Sequence, residues 1–249
     1  MTGSSSARAV VVHPDADTLA RAAAARFLLA LADAQSLRHP VHVAITGGTI
    51  GTQVLAQIAH SDLLGVVDFS GVHIWWIDER FVPDGDPDRN EGQAEEALLA
   101  RLPIPTENVH RMPSSDRAKH VDAAARAYAE ELAAFAPQGA GAPEFDVVLL
   151  GMGPDGHIAS LFPGQGTVAI TDSTVIGVPD SPKPPPERIS LTLPVLNGAR
   201  QVWIIVSGSG KADPVRRALE GAEPDELPVA AAEGRDVTLW LVDAEAAGQ

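Results

Sequence analysis

Strand-like runs alternate with helical stretches along the whole chain, and four strands end in a polar loop: after Ile45, Ile77, Leu150 and Val206. Repeated strand–loop–helix units imply a mostly parallel sheet with helices on both faces. In such a sheet the four loops lie on one edge, outside the carboxyl ends of the strands, where open α/β sheets bind their ligands. The predicted fold class is α/β, with a Rossmann-like, mostly parallel sheet.

Residues 145–164 form the centre of this pattern. Val147, Val148, Leu149 and Leu150 make a short continuous apolar run, as expected of a parallel strand covered on both faces. The run stops at Gly151, and Gly151, Gly153 and Gly156 bracket Asp155 and His157. Glycine allows tight turns and close approach to a ligand, so an acid and an imidazole are held on a tight loop. The remaining strands are expected at 9–13, 41–45, 72–77, 109–112, 174–178, 188–193, 201–206 and 237–242. Helices are expected from Asp17 to about Ser36, after Thr49 to about His60, at 91–102, at 118–135 under an Asp116 cap, and from Lys211 to about Glu220. Residues 137–143, rich in Gly, Ala and Pro, read as a connector and the best candidate for a boundary between halves. The whole chain, 1–249, is taken as one domain, with residues 1–8 a loose tail.

Composition narrows the function. At 249 residues and 45% hydrophobic, the chain can bury a substantial core. It has no cysteine, which excludes disulfides, thiolate metal sites and a cysteine nucleophile. A net charge of −15 makes nucleic acid and anionic membrane unfit partners. An anionic substrate would require lysines and arginines concentrated at the site against that field. No apolar run is long enough to span a membrane, and residues 1–8 lack a signal-peptide core, so a cytosolic (cytoplasmic) protein is expected.

Each loop suits a particular chemistry. Thr46-Gly47-Gly48-Thr49 lies between a strand and a helix, where backbone N–H groups and hydroxyls make an anion site; the same sequence suits a plain tight turn with a threonine cap. Ser207-Gly-Ser-Gly-Lys211 has that placement plus a lysine. It is not a nucleotide P-loop: the first glycine of that motif would fall at Ile205, and Ala212 follows the lysine. Gly151-Met-Gly-Pro-Asp-Gly156 has dinucleotide-motif spacing, but Pro163, Gly164 and Gly166 leave no room for the helix that motif needs. Asp78-Glu79-Arg80 ends an apolar strand, either as a salt-bridged strand end or as charges aimed into the cleft. His157 is the most informative of the eight histidines, because it stands two residues from Asp155 on the central loop and imidazole is the natural general base near neutral pH. Neither HExxH nor GxSxG is present. The residues suggest acid–base chemistry on a phosphorylated small molecule.

The stretch Asp146–Pro163 closely resembles the signature of 6-phosphogluconolactonases. So do Trp76-Ile-Asp-Glu-Arg-Phe-Val-Pro83, Asp180-Ser-Pro-Lys-Pro-Pro-Pro-Glu-Arg188, Gly210-Lys-Ala212 and the terminal Val237-Thr-Leu-Trp-Leu-Val-Asp243. The resemblance covers almost the whole chain in order. It implies a fold like that of glucosamine-6-phosphate deaminase and ribose-5-phosphate isomerase, a Rossmann-like sheet with an added smaller subregion. It implies hydrolysis of a small phosphosugar lactone, 6-phospho-D-glucono-1,5-lactone, by a monomer with no metal or organic cofactor. His157 would be the general base, oriented by Asp155, and Arg80 would serve the oxyanion. Thr46, Gly47, Gly48, Thr49, Arg188 and Lys211 would hold the phosphate, with Asp78, Glu79, Gly151, Gly153 and Gly156 elsewhere in the cleft. Deaminases of this fold share the Gly-x-Gly-x-Asp-Gly-His-Ile-Ala loop but continue Phe-Asn-Glu-Pro; this chain has Ser160-Leu-Phe-Pro163. Arg89 stands where the family usually has serine.

Overall fold

The computed structural model describes residues 6–249; of the expected N-terminal tail, residues 1–5 lie outside the described residues. In chain order the elements are β1 (Ala7–His13), α1 (Ala16–Leu37), β2 (Val41–Ile45), α2 (Gly48–Ala59), β3 (Val72–Trp76), β4 (Asp78–Arg80), α3 (Asn90–Ala97), β5 (Val109–His110) and α4 (Val121–Ala134). They continue with β6 (Val147–Gly151), β7 (Val175–Val178), β8 (Arg188–Leu191), α5 (Leu193–Asn197), β9 (Gln201–Val206), α6 (Ala212–Leu219) and β10 (Val237–Asp243).

Seven strands form one sheet in the order β1-β10-β9-β6-β2-β3-β5, and every pair in it is parallel. All five residues of β2 and the first four of β6 are buried, so both faces of the sheet centre are covered. That is why these strands read as continuous apolar runs rather than alternating ones. From β2 the chain builds outward through β3 to β5; from β6 it builds the other way through β9 to β10. The β2–β6 seam is therefore the topological switch point, where the loops leaving two adjacent strands part and open a crevice. The core is filled by Trp75, Trp76, Trp203 and Trp240.

Helix α1 follows from its sequence. Asp15 Oδ1 accepts a hydrogen bond from Thr18 N at 2.7 Å, and buried Leu19, Ala20, Ala23, Ala24, Phe27, Leu28 and Leu31 recur at helical spacing along one face. The cap is Asp15 rather than the expected Asp17, which lies in the first turn and pairs with Arg21. Helix α4 starts at Val121 under a His120 cap; the expected cap, Asp116, instead accepts from the backbone N–H of Asp84 and holds that loop. Ala7 and Arg8, expected in the tail, belong to the edge strand β1. The helix expected at 91–102 is shorter: α3 ends at Ala97 and a 3₁₀ turn follows.

The largest departure concerns three strands. Residues 174–178 and 188–193 supply β7 and β8, and these join β4 in a separate antiparallel sheet, β4-β8-β7. Ile77 is the branch point: its N–H donates to Ile45 O in the large sheet, and its carbonyl accepts from Leu191 N of the small one. The strand expected at 72–77 thus stops at Trp76, and Asp78–Arg80 turns away to pair with Arg188–Ser190. No helix among the described residues is long and apolar enough to cross a membrane.

Candidate active site

The four loops meet. Thr46, Gly47, Gly48 and Thr49 after β2, Asp78 and Arg80 in β4, Gly151, Gly153 and His157 after β6, and Lys211 after β9 line one cavity of about 210 Å³, together with Asn90 and Arg188. A larger groove, about 720 Å³, runs along α1 past Asp146, Arg200 and Asp236 and contains none of the expected site residues.

One wall is the start of α2. Gly47 caps this 12-residue helix without a side-chain hydrogen bond, which leaves the first-turn N–H groups and the positive end of the helix dipole for an anion. A Cβ on Gly47 would stand 2.0 Å from Asn90 Oδ1, so a larger residue there would have to displace the Asn90 side chain. Thr46 Oγ1 accepts weakly from Gly151 N (3.4 Å), tying the two switch-point loops together. Lys211 lies in a turn anchored by Asp243, whose carboxylate accepts from Ser207 Oγ and Gly208 N. Burial, with Lys183 nearby, lowers the Lys211 ammonium from its ordinary value.

The cavity lining also carries His157. Its Nδ1 lies 2.5 Å from Asp155 Oδ1. Asp155 is set behind the imidazole and does not line the cavity. An Nδ1–H donated to that carboxylate leaves the lone pair on Nε2. Burial works against ionisation of Asp155, but hydrogen bonds and charges from His157 and Lys183 outweigh it and hold the carboxyl well below the usual range. Phe162 packs on the imidazole with ring centroids 4.6 Å apart. The loop is bent so tightly that Ala159 takes a left-handed conformation (φ 47°). Such a conformation costs an alanine about 1–2 kcal/mol and survives only where neighbours enforce it. Here Ser160 does so: its N–H donates to Ser190 Oγ and its hydroxyl to Asp78 Oδ2.

Three expected site residues do other work. Gly156 does not line the cavity; it has φ +80° and backs onto Leu227. Glu79 is also absent from the lining, and its carboxylate accepts the backbone N–H groups of Arg80, Asn90 and Glu91. Arg188 lines the cavity, but its two-pronged grip is not free. Nε donates to Pro185 O, and Nη2 to Lys183 O and Pro184 O, so the guanidinium braces the proline loop and only Nη1 is left. Arg89 is a buried brace as well, donating to Glu91 and to the carbonyls of Arg80, Val82 and Met112.

Sequence reasoning missed Lys183 and Asn90. Lys183 Nζ reaches Asp155 Oδ1 at 3.0 Å and stands 3.1 Å from His157 Nδ1. The chain has only three lysines, at 119, 183 and 211, and one placed in a stiff proline run was the available signal. Asn90 Oδ1 accepts from Arg80 Nη1 at 2.8 Å. Arg80 Nε is buried with no hydrogen-bond partner among the described residues, while the residue itself lines the cavity.

Burial pushes the Glu79 carboxyl up to about 7, against the pull of Arg89 and the three backbone N–H groups. Other charged or titratable neighbours are Asp78, Arg80, Glu91, Tyr128 and Arg188. A carboxyl that holds its proton more tightly when folded stabilises the fold fully below its ordinary value of 4.5, and loses that contribution as pH rises through about 7. The wild-type melting temperature is therefore expected to fall relative to that of Glu79→Gln between about pH 5 and 8. A difference that stays constant over that range would show that Glu79 titrates normally.

What the fold and cavity define is a class: a parallel α/β protein with a cation-lined cleft at the switch point of its sheet. A family model described as glucosamine-6-phosphate isomerases/6-phosphogluconolactonase matches residues 14–240. The 6-phosphogluconolactonase of Streptomyces coelicolor is 50% identical over 244 residues, 96% of this chain and 94% of that one. The structure of 6-phosphogluconolactonase from Trypanosoma brucei matches with a TM-score of 0.83 at 27% identity, covering 98% of this chain and 99% of that chain. A monomeric glucosamine-6-phosphate deaminase shares the fold (TM-score 0.79, 19% identity, 96% and 98% covered). The chain belongs to the glucosamine-6-phosphate isomerase/6-phosphogluconolactonase family.

Proposed function

We propose that this protein hydrolyses 6-phospho-D-glucono-1,5-lactone to 6-phospho-D-gluconate, the second step of the oxidative pentose phosphate pathway. The observation that carries the reading is His157, paired with Asp155 and lining one small cavity with a helix N-terminus and Lys211. The 50% identity to a 6-phosphogluconolactonase supports the same reaction. Against deamination stands Phe162: where deaminases carry a glutamate, this chain packs an aromatic ring on the imidazole.

A δ-lactone is an activated ester and needs no covalent nucleophile. His157 Nε2 takes a proton from water, and the hydroxide formed attacks C1. The imidazolium then returns the proton to the ring oxygen as the C1–O bond breaks. Asp155 holds the tautomer and stabilises the imidazolium. Arg80, which lines the cavity, stabilises the oxyanion on C1. The phosphate sits at the start of α2, held by the Gly47–Thr49 backbone, Lys211 and Arg188 Nη1. These cations supply the local positive charge that the acidic chain needs for an anionic substrate.

The test is to generate the lactone in place with glucose-6-phosphate dehydrogenase and follow its disappearance against the spontaneous rate. Acceleration supports the reading. Its absence, with phosphosugar binding retained, would instead identify a catalytically silent sensor. Lys211→Ala is expected to raise KM about tenfold or more with little change in kcat, as for a group that binds phosphate equally in the ground and transition states. A fall in kcat at unchanged KM would move Lys211 out of the phosphate site.

A further inference from the structure

We propose that Glu79 is a positioning residue: its buried carboxylate clips the start of α3 onto β4 and thereby sets Arg80 and Asn90 in the cavity. Glu79 is 1% exposed. Oε1 accepts from Arg80 N (2.8 Å) and Asn90 N (2.7 Å), and Oε2 from Glu91 N (2.9 Å). The residue that precedes α3, Arg89, gives the helix no side-chain cap; its guanidinium is spent on Glu91 and on backbone carbonyls. The helix start is capped from another element instead, by a side chain next in sequence to the cavity residue Arg80.

The clip reaches the cavity through two side chains. Asn90 Oδ1 receives Arg80 Nη1, and Asn90 Nδ2 donates to Asp78 O (2.9 Å). Arg80 Nη1 also donates to Asp88 O, on the loop leading into α3. The Asn90 side chain lies against Gly47 at the start of α2. Moving the start of α3 by a few tenths of an ångström therefore moves the support of the Arg80 guanidinium, while Lys211, Arg188 and His157 rest on other elements. A buried acid that only stabilised the fold would affect melting and leave the kinetics of the folded enzyme alone. A positioning acid acts on the step Arg80 serves.

The proposal rests on the role given to Arg80 in lactone hydrolysis, and a double-mutant cycle separates the two. Glu79→Gln keeps the shape but turns an amide nitrogen, which cannot accept, toward backbone donors. It is expected to lower kcat about ten- to a hundredfold, as a sub-ångström to ångström misplacement does, with KM changed less than about threefold. Added to Arg80→Ala, it is expected to lower kcat little further, because both changes remove one interaction. If the two losses multiply, or if folded Glu79→Gln has wild-type kcat, the positioning role is overturned while the reading of Arg80 stands. If Arg80→Ala alone keeps full activity, both fall. Should Glu79→Gln not fold, Asn90→Ala breaks the same relay without a buried acid, and an unchanged kcat there overturns the proposal equally.

Discussion

His157→Ala is expected to lower kcat about 10²–10⁴-fold, the usual contribution of a positioned acid or base, which is roughly 2.7–5.5 kcal/mol of barrier. In the proposed mechanism the imidazole serves twice, taking the proton from water and returning it to the ring oxygen, so no step of the ring opening is spared. KM is expected to hold, because the proposed phosphate contacts come from the start of α2, Lys211 and Arg188, none of which bonds to His157. The fold should survive as well: the side chain is 19% exposed and its one hydrogen-bonding partner in this tautomer is Asp155. Kinetics of the variant against the spontaneous hydrolysis rate give the answer. Unchanged kcat would move the base elsewhere in the cavity and leave the lactone reading in place.

Gly153→Ala is expected to lower kcat about a hundredfold or more without touching a catalytic atom chemically. A Cβ on this residue would stand 2.1 Å from both Cε1 and Nδ1 of His157 and 2.5 Å from Asp155 Oδ1. Those distances are far inside van der Waals contact, and the atoms met are the two that must stay hydrogen-bonded. The ring, the carboxylate or the loop has to move, so the Asp155–His157 pair is broken by crowding. Overpacking of this kind also costs about 1–3 kcal/mol of stability, which thermal melting reads separately from activity. Gly92→Ala is the control. Nothing lies within 4 Å of a Cβ there, and the residue is inside α3, so stability is expected to rise by up to about 1 kcal/mol with kcat unchanged. If Gly153→Ala is as active as Gly92→Ala, the tight fit behind His157 has no catalytic meaning.

Sequence reading did best where the signal was local. The Val147–Leu150 run and the glycines after it depend on a few neighbouring residues and stand where expected, and the helix expected after Thr49 begins two residues early, at Gly48. It did worst where two distant segments had to be paired. Asp78-Glu79-Arg80 looks like the end of β3 because the apolar run leads into it. Only the antiparallel pairing with Arg188–Ser190 turns it into a separate strand and buries Glu79. Arg188 and Arg89 illustrate the same limit. The family resemblance puts Arg188 on a phosphate and gives Arg89 no role, yet both spend most of their donors on backbone carbonyls, Arg188 on the proline loop just before it and Arg89 on Arg80, Val82 and Met112.

The sequence by itself determined the parallel sheet, the edge on which its loops gather, and the Asp155–His157 pair, because two residues on one glycine-bent turn need no distant partner to meet. Tertiary structure alone decided that Lys183, 28 residues from Asp155, shares its carboxylate, that Glu79 caps a helix instead of facing the cleft, and that Arg188 braces a loop. The physical reason is that a side chain's role depends on what its donors and acceptors meet: Lys183 meets a loop, and Glu79 the start of a helix, that only the fold brings to them, and Arg188 spends its donors on the proline loop just before it instead of on the cleft.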